Sequence, residues 1–298
     1  MARLESAITS KPSMKVSFWG VRGSIPTSGA DTAGYGGHTS CVAVEVDGAA
    51  PFVFDLGTGA RRLGKHLVKQ GVERVYVTLS HTHMDHLFAL PYFEPIFHPD
   101  CQVQLGLPAA SSADARSRVA QYLNGVFHPL RLDDIGARMR FYGIPAAAEF
   151  NVGPYLLKTL RMVHPGGTLG YRLSLNEQSV CYLTDTGPLA DPDEGIIVGK
   201  QPTRMERDLI DLVQGTDLMI MDTTFDQDEF YQKRSWGHAF PEYAVAIAKA
   251  AGVKKVALFH HSPDATDDML DELAAKWSDH TSPSVMVAKE GVVLDLEG

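Results

Sequence analysis

The chain has 298 residues, 44% of them hydrophobic and 21% charged, which is ample apolar material for a large core. Its formal net charge is −9 with histidine neutral, so it offers no broad basic face for coating nucleic acid; a small phosphate substrate stays open, because bound cations would supply local positive charge. No stretch approaches the ~18 apolar residues that span a bilayer, no apolar leader run follows Met1, and Cys41, Cys101 and Cys181 are scattered and never in CxxC, so the expectation is a cytoplasmic protein without disulfides or a cysteine zinc site.

Residues 1–13 read as a loose lead-in. Residues 14–19 alternate and predict a first strand. Residues 20–37 are rich in Gly, Ser, Thr and Pro and predict a long functional loop. Residues 40–46 and 51–55 predict a strand pair around Asp47-Gly48. The tight turn Asp55-Leu-Gly-Thr-Gly59 leads into a helix over 60–69, and RVYVTLS (74–80) is a buried-strand pattern that stops at His81. From 87 to 144 the pattern is less regular, with a helix over 112–123 and a short strand over 141–144, and this region is expected to pack over one side of the site. Strands recur at 155–162, 168–174 and 179–184. A helix over 204–214 leads to a strand over 218–222, and a helix over 241–251 to a strand over 255–260. A helix over 267–277, started by Asp264, precedes two closing strands, 284–288 and 291–294, joined at Lys289-Glu290. A block of strands, then helices, then the same alternation again predicts two sheets with helices outside. That is a single-domain α/β layered protein, a four-layer αββα sandwich over residues 1–298.

The densest chemistry lies in Ser80-His81-Thr82-His83-Met84-Asp85-His86. Four side chains fit to bind metal fall within six residues, in the order H-x-H-x-D-H, on a loop after a strand of Val, Tyr and Leu. Three further candidates each end an apolar strand: His164 after YLLKTLRMV, Asp185 after SVCYLT and His260 after KKVALF. Each is unremarkable alone; together they fit one shared site at an edge of the sheets.

This set resembles the metallo-β-lactamase superfamily, and the resemblance runs over most of the chain. It implies two divalent metal ions, zinc by default, with manganese or iron compatible with the same nitrogen and oxygen donors. One ion would be held by His81, His83 and His164, the other by Asp85, His86 and His260, with Asp185 bridging. A hydroxide between the ions would attack a phosphoester-like bond.

Five segments resemble one branch, that of tRNA 3′-processing endonucleases, the phosphonate-pathway cyclic phosphodiesterase and class II cyclic-nucleotide phosphodiesterases. They are Gly20-Val-Arg-Gly-Ser-Ile-Pro26, Tyr35-Gly-Gly-His-Thr-Ser-Cys41, Leu87-Phe-Ala-Leu-Pro91, Met221-Asp-Thr-Thr-Phe225 and Trp236-Gly-His238. By that resemblance His238 would protonate the leaving oxygen and Asp222 would hold its other ring nitrogen, so His238, Asp222 and Asp85 are the candidate catalytic residues. Asp55 would orient a ligating histidine, and Arg22, Ser24, Thr39 and Ser40 would donate to a substrate phosphate. His261 is expected to be structural, and His38, His66, His98, His128 and His280 to be surface or packing residues. His38 stands where the branch has Asn, Ala239 where it has Ser or Thr, and no basic Gly-rich arm for gripping tRNA is visible. The expected substrate is therefore a small or cyclic phosphodiester and not tRNA, with no membrane partner and a homodimer in keeping with the branch. A hydrolase of a lactone, β-lactam, sulfate ester or thioester is the alternative, and a metal-binding regulatory protein without catalysis is a second.

Overall fold

The computed structural model describes residues 13–136, 138–191 and 193–296; the expected lead-in falls almost wholly outside them. Alternation builds the first half. In β1 (Met14–Gly20), Met14, Val16 and Phe18 share one fully buried face. It pairs antiparallel with β2 (Cys41–Val46), which pairs antiparallel with β3 (Phe52–Phe54). Helix α1 (Ala60–Lys69) then crosses over, so β4 (Arg74–Thr78) lies parallel to β3, as parallel pairing requires. After the short helix α2 (Met84–Leu87), β5 (Gln102–Pro108), α3 (Ser112–Tyr122) and β6 (Arg138–Ile144) continue the parallel run.

The second half repeats the plan. Strands β7 (Glu149–Val152), β8 (Tyr155–Arg161), β9 (Leu169–Leu175) and β10 (Gln178–Leu183) are antiparallel. Crossovers through α4 (Arg204–Val213), through α5 (Gln227–Gln232) and α6 (Pro241–Ala250), and through α7 (Asp267–Trp277) make β11 (Leu218–Asp222), β12 (Lys255–Phe259) and β13 (Ser284–Val287) parallel. Strand β14 (Val293–Leu296) returns to the first sheet, antiparallel to β1. Among the described residues there are two seven-stranded sheets, ordered β14-β1-β2-β3-β4-β5-β6 and β13-β12-β11-β10-β9-β8-β7.

Three apolar layers hold these elements. The central one lies between the sheets, where Phe18, Phe52, Phe54, Tyr155, Tyr171, Tyr182 and Phe259 interdigitate. The outer two bury Leu63, Leu67, Ala115 and Val119 of α1 and α3 on one sheet, and Leu209, Tyr243, Ile247 and Leu270 of α4, α6 and α7 on the other. This is the expected αββα sandwich. No helix among the described residues is long and apolar enough to cross a membrane.

Four details differ from expectation. Strands β5 and β7 carry weak signals: β5 contains a glycine and ends in proline, and β7 is a four-residue edge strand. Strand β6 starts at Arg138 and not at Phe141, because an edge strand half open to solvent admits polar residues. The cap of α7 is Thr266, whose hydroxyl accepts the Met269 N–H, and not Asp264. The two closing strands do not pair with each other; β13 joins the second sheet and β14 the first.

Candidate metal centre

Every predicted ligand follows a strand, and the fold brings those strand ends to one edge, outside the carboxyl ends of the parallel strands. His81, His83, Asp85 and His86 follow β4, His164 follows β8, Asp185 follows β10 and His260 follows β12. Two donor sets result. His81, His83, His164 and Asp185 form one; Asp85, His86, Asp185 and His260 form the other; in each, the donor atoms lie within 4.8 Å of one another. Asp185 belongs to both. Its Oδ1 is 2.9 Å from His260 Nε2 and 3.0 Å from His86 Nε2, and its Oδ2 is 3.4 Å from His164 Nε2 and 3.7 Å from His81 Nε2.

The sets fit divalent cations. The Nε2 atom of His81 is buried without a hydrogen-bond partner, a costly arrangement unless its lone pair is aimed at an ion. The opposite ring nitrogens are fixed by the protein, the usual way of orienting a ligating imidazole. His86 Nδ1–H donates to Asp55 Oδ2 at 2.7 Å. His164 Nδ1–H donates to the Gly237 carbonyl at 2.9 Å. His260 Nδ1 lies 2.9 Å from Thr224 Oγ1. Asp55, predicted to orient a histidine, also accepts from Ser80 N–H, Ser80 Oγ–H and Tyr182 Oη–H. Tyr182 in turn stacks on Phe54 at 4.9 Å between ring centroids, so core packing fixes the carboxylate that fixes the ligand.

Of the six non-glycine residues with positive φ among those described, Ser24, Asp55, Asp185 and His260 lie at this site. Backbone strain of roughly 1–3 kcal/mol per residue is being held where function sets the geometry. Gly23 belongs to the same construction. A Cβ there would stand 2.5 Å from Cε1 and Nδ1 of the His260 ring, whose Nδ1 is already tied to Thr224. A Gly23→Ala protein is expected to fold but to bind metal roughly 10–100-fold more weakly, as measured by competition with a chelator. Unchanged affinity would show that the ring is free to move.

The electrostatics of the two sets differ. Burial disfavours charge on His86, but Asp85, Asp185 and Asp55 outweigh it and hold its pKa well above the ordinary value. Burial likewise opposes charge on His260, yet Asp185, Asp85 and Asp222 push its pKa up to about 10. His81 and His164 go the other way, lowered chiefly by burial.

His238 stands beside both sets, its ring 5.2 Å from those of His164 and His260. Its Nδ1 is 2.7 Å from Asp222 Oδ2, while Asp222 Oδ1 accepts from the Thr224 N–H and hydroxyl. Burial opposes protonation of His238, but Asp222 wins and raises its pKa. A cavity of about 450 Å3 opens over this edge, lined among others by Ser24, His83, Asp185, Trp236 and His238 and, among the described residues, by no Lys or Arg.

The predicted phosphate donors mostly serve the framework. Arg22 is fully buried, and its guanidinium donates to the carbonyls of Gly36, Ser262 and Ala265, so it does not face a substrate. Thr39 exchanges hydrogen bonds with Thr58. The Ser40 hydroxyl donates to the Arg22 carbonyl, and both Thr39 and Ser40 are fully buried. Only Ser24 lines the cavity, with its N–H given to Asp85 Oδ2 at 2.8 Å. His261 is turned away and tied to the Ala288 carbonyl. Sequence reasoning assigned no role to Ser80, Tyr182, Thr224 or Gly237. Thr224 and Gly237 lay inside quoted motifs, whereas a strand tyrosine such as Tyr182 carries no local signal.

Comparison with known proteins agrees with this geometry. Ribonuclease Z of Thermoplasma volcanium is 22% identical over an alignment 316 positions long, covering 89% of this chain and 93% of that protein. The metallo-beta-lactamase fold protein YhfI from Bacillus subtilis superposes with a TM-score of 0.69 at 21% identity, covering 96% of this chain and 100% of that one. A diphosphatase from the PhnP family superposes with a TM-score of 0.63 at 16% identity, covering 94% and 97%. The family model described as the beta-lactamase superfamily domain matches residues 52–261, from β3 through the last donor histidine, and the chain belongs to that superfamily of metal-dependent hydrolases.

Proposed function

We propose that the protein is a phosphodiesterase that works with two divalent cations, zinc in the first instance, on a small phosphodiester. The observation that carries this reading is the Asp222–His238 pair beside the two donor sets. His81, His83 and His164 would hold one cation, Asp85, His86 and His260 the other, and Asp185 both. When bound, the cations supply Lewis acidity at the phosphoryl oxygens and a water acidified toward neutral pH. The residues do the rest. Asp55, Thr224 and the Gly237 carbonyl orient the ligands. Asp222 keeps a proton on His238 Nδ1, which leaves Nε2 to protonate the departing oxygen. A cavity lined by carboxylates and imidazoles and, among the described residues, by no Lys or Arg holds an anion best once metal is present.

The test is metal-loaded protein against bis(p-nitrophenyl) phosphate, cyclic phosphodiesters, a precursor tRNA, a lactone and a β-lactam. Turnover of the small phosphodiesters is expected. Turnover of the lactone or β-lactam alone would overturn the reading. Faster cleavage of the tRNA would replace the small substrate by RNA, the substrate that the name of the Thermoplasma relative favours.

Metal loading should also depend on pH in a set-specific way. Without metal, His86 and His260 hold protons at neutral pH, because both pKa values are raised, and a cation must displace them. Affinity of that set is expected to rise with pH between about pH 6 and about pH 8, with proton release, while His81 and His164, lowered, already stand neutral there. Calorimetric titration in buffers of different ionisation enthalpy measures this. Two binding events with equal and negligible proton release would contradict it.

A further inference from the structure

A second cavity, of about 800 Å3, adjoins the first and plays no part in holding metal. The two share Met84, and the larger one begins at Thr82, inside the H-x-H-x-D-H segment. Its wall comes from the otherwise unexplained stretch after α2, from the end of α3 and from the loop that follows it, which together contribute five rings: Phe88, Tyr92, Tyr122, Phe127 and His128. Water-exposed aromatics are unusual in such number. Phe127 is 78% exposed, Tyr92 50% and Phe88 40%. Three of the rings are held in place. The Tyr122 hydroxyl donates to the Phe88 carbonyl at 3.0 Å, His128 Nδ1 accepts the Leu130 N–H at 3.1 Å, and Tyr92 meets His128 edge-on with centroids 5.4 Å apart. The cation on the wall, Arg118, is engaged by both oxygens of Asp114 at 3.2 Å, so the cavity is not a phosphate track.

We infer that this cavity is the subsite for a nucleobase, and that the substrate is a small phosphodiester of a nucleoside: phosphate over the donor sets, base among the rings beside them. The inference rests on the phosphodiesterase reading above and names its substrate class. Stacking needs only flat apolar faces, which these rings provide, and the Gln121 amide offers a donor and an acceptor to the rim of a base. A space of this size holds one drug-sized group and not a strand. Without a row of free cations along it, a polyanion gains little.

The test compares adenosine 5′-monophosphate with ribose 5-phosphate, which carries the same phosphate and no base, binding to metal-loaded protein by calorimetry. The nucleotide is expected to bind about tenfold or more tightly, and the ratio of the two dissociation constants should fall toward one in Phe127→Ala and in Tyr92→Ala. Both positions are exposed enough to lose a ring without unfolding the chain. Tyr142→Ala, which removes a half-exposed ring from a different groove, should keep the ratio. Equal affinity for the two ligands in the unmodified protein would overturn the subsite and leave the phosphoryl site standing. Failure of both to bind loaded protein would overturn the phosphodiesterase reading and the subsite with it.

Discussion

Replacing Asp185 by asparagine is expected to cost roughly 10³-fold or more in turnover and to leave no more than one tightly held cation per chain. Asp185 alone belongs to both donor sets, one oxygen toward His86 and His260 and the other toward His81 and His164. Asparagine keeps the shape but removes the anion, and it turns an N–H2 group toward imidazole nitrogens whose lone pairs are needed for metal. The carboxylate is held ionised in the metal-free site: burial disfavours its charge, but His260, His86 and His81 outweigh this and keep its pKa well below the ordinary range. An anion so placed is part of the site before any cation arrives. Elemental analysis together with initial rates measures the effect. An Asp185→Asn protein that kept two metal equivalents and near-normal turnover would remove the shared carboxylate from the proposal.

His238→Ala should separate chemistry from metal binding. Loss of a general acid typically lowers the rate by about 10²–10⁴-fold, and the loss should follow the leaving group. An alkyl alkoxide needs its proton, so a diester with an alkyl leaving group should feel the full effect. A p-nitrophenolate departs without one, so the p-nitrophenyl ester should lose much less. Metal content should not change, because His238 is held by Asp222 and the proposed ligands do not depend on it. Asp222→Asn gives the complementary result. With the main opposition to burial removed, the pKa of His238 falls, and since an acid works only while protonated, the alkaline limb of the rate profile should move to lower pH. Equal losses for both leaving groups would make His238 a binding residue and not a proton donor.

The αββα plan was readable because burial imposes simple periods. Period-two runs such as MKVSFWG mark the strands, and the segments later seen as α1, α4, α6 and α7 sit between strands that must run parallel. Edge positions broke the signal: β6 and β7 are half open to water and carry Arg, Glu and Asn. The candidate donors were legible only as a set: His81, His83, Asp85 and His86 crowd into one segment after β4, and His164, Asp185 and His260, each unremarkable alone, follow three further strands. Arg22, Thr39 and Ser40 were misread because a polar residue in a Gly-rich loop looks the same in sequence whether it faces a ligand or a backbone carbonyl. The Arg22 guanidinium ties the loop around Gly36 to the turn after β12, a contact across more than two hundred residues that no local pattern encodes.

The return of β14 to β1 bears on how the chain is made. β1 is made well before β14, and until residues 293–296 leave the ribosome its outer edge lacks the partner it has in the folded chain. Between the synthesis of β1 and that of β14 an apolar strand therefore presents unpaired amides, the kind of edge through which nascent chains join one another. Lys15, the one exposed position of that strand, supplies the like-charge repulsion that discourages such encounters.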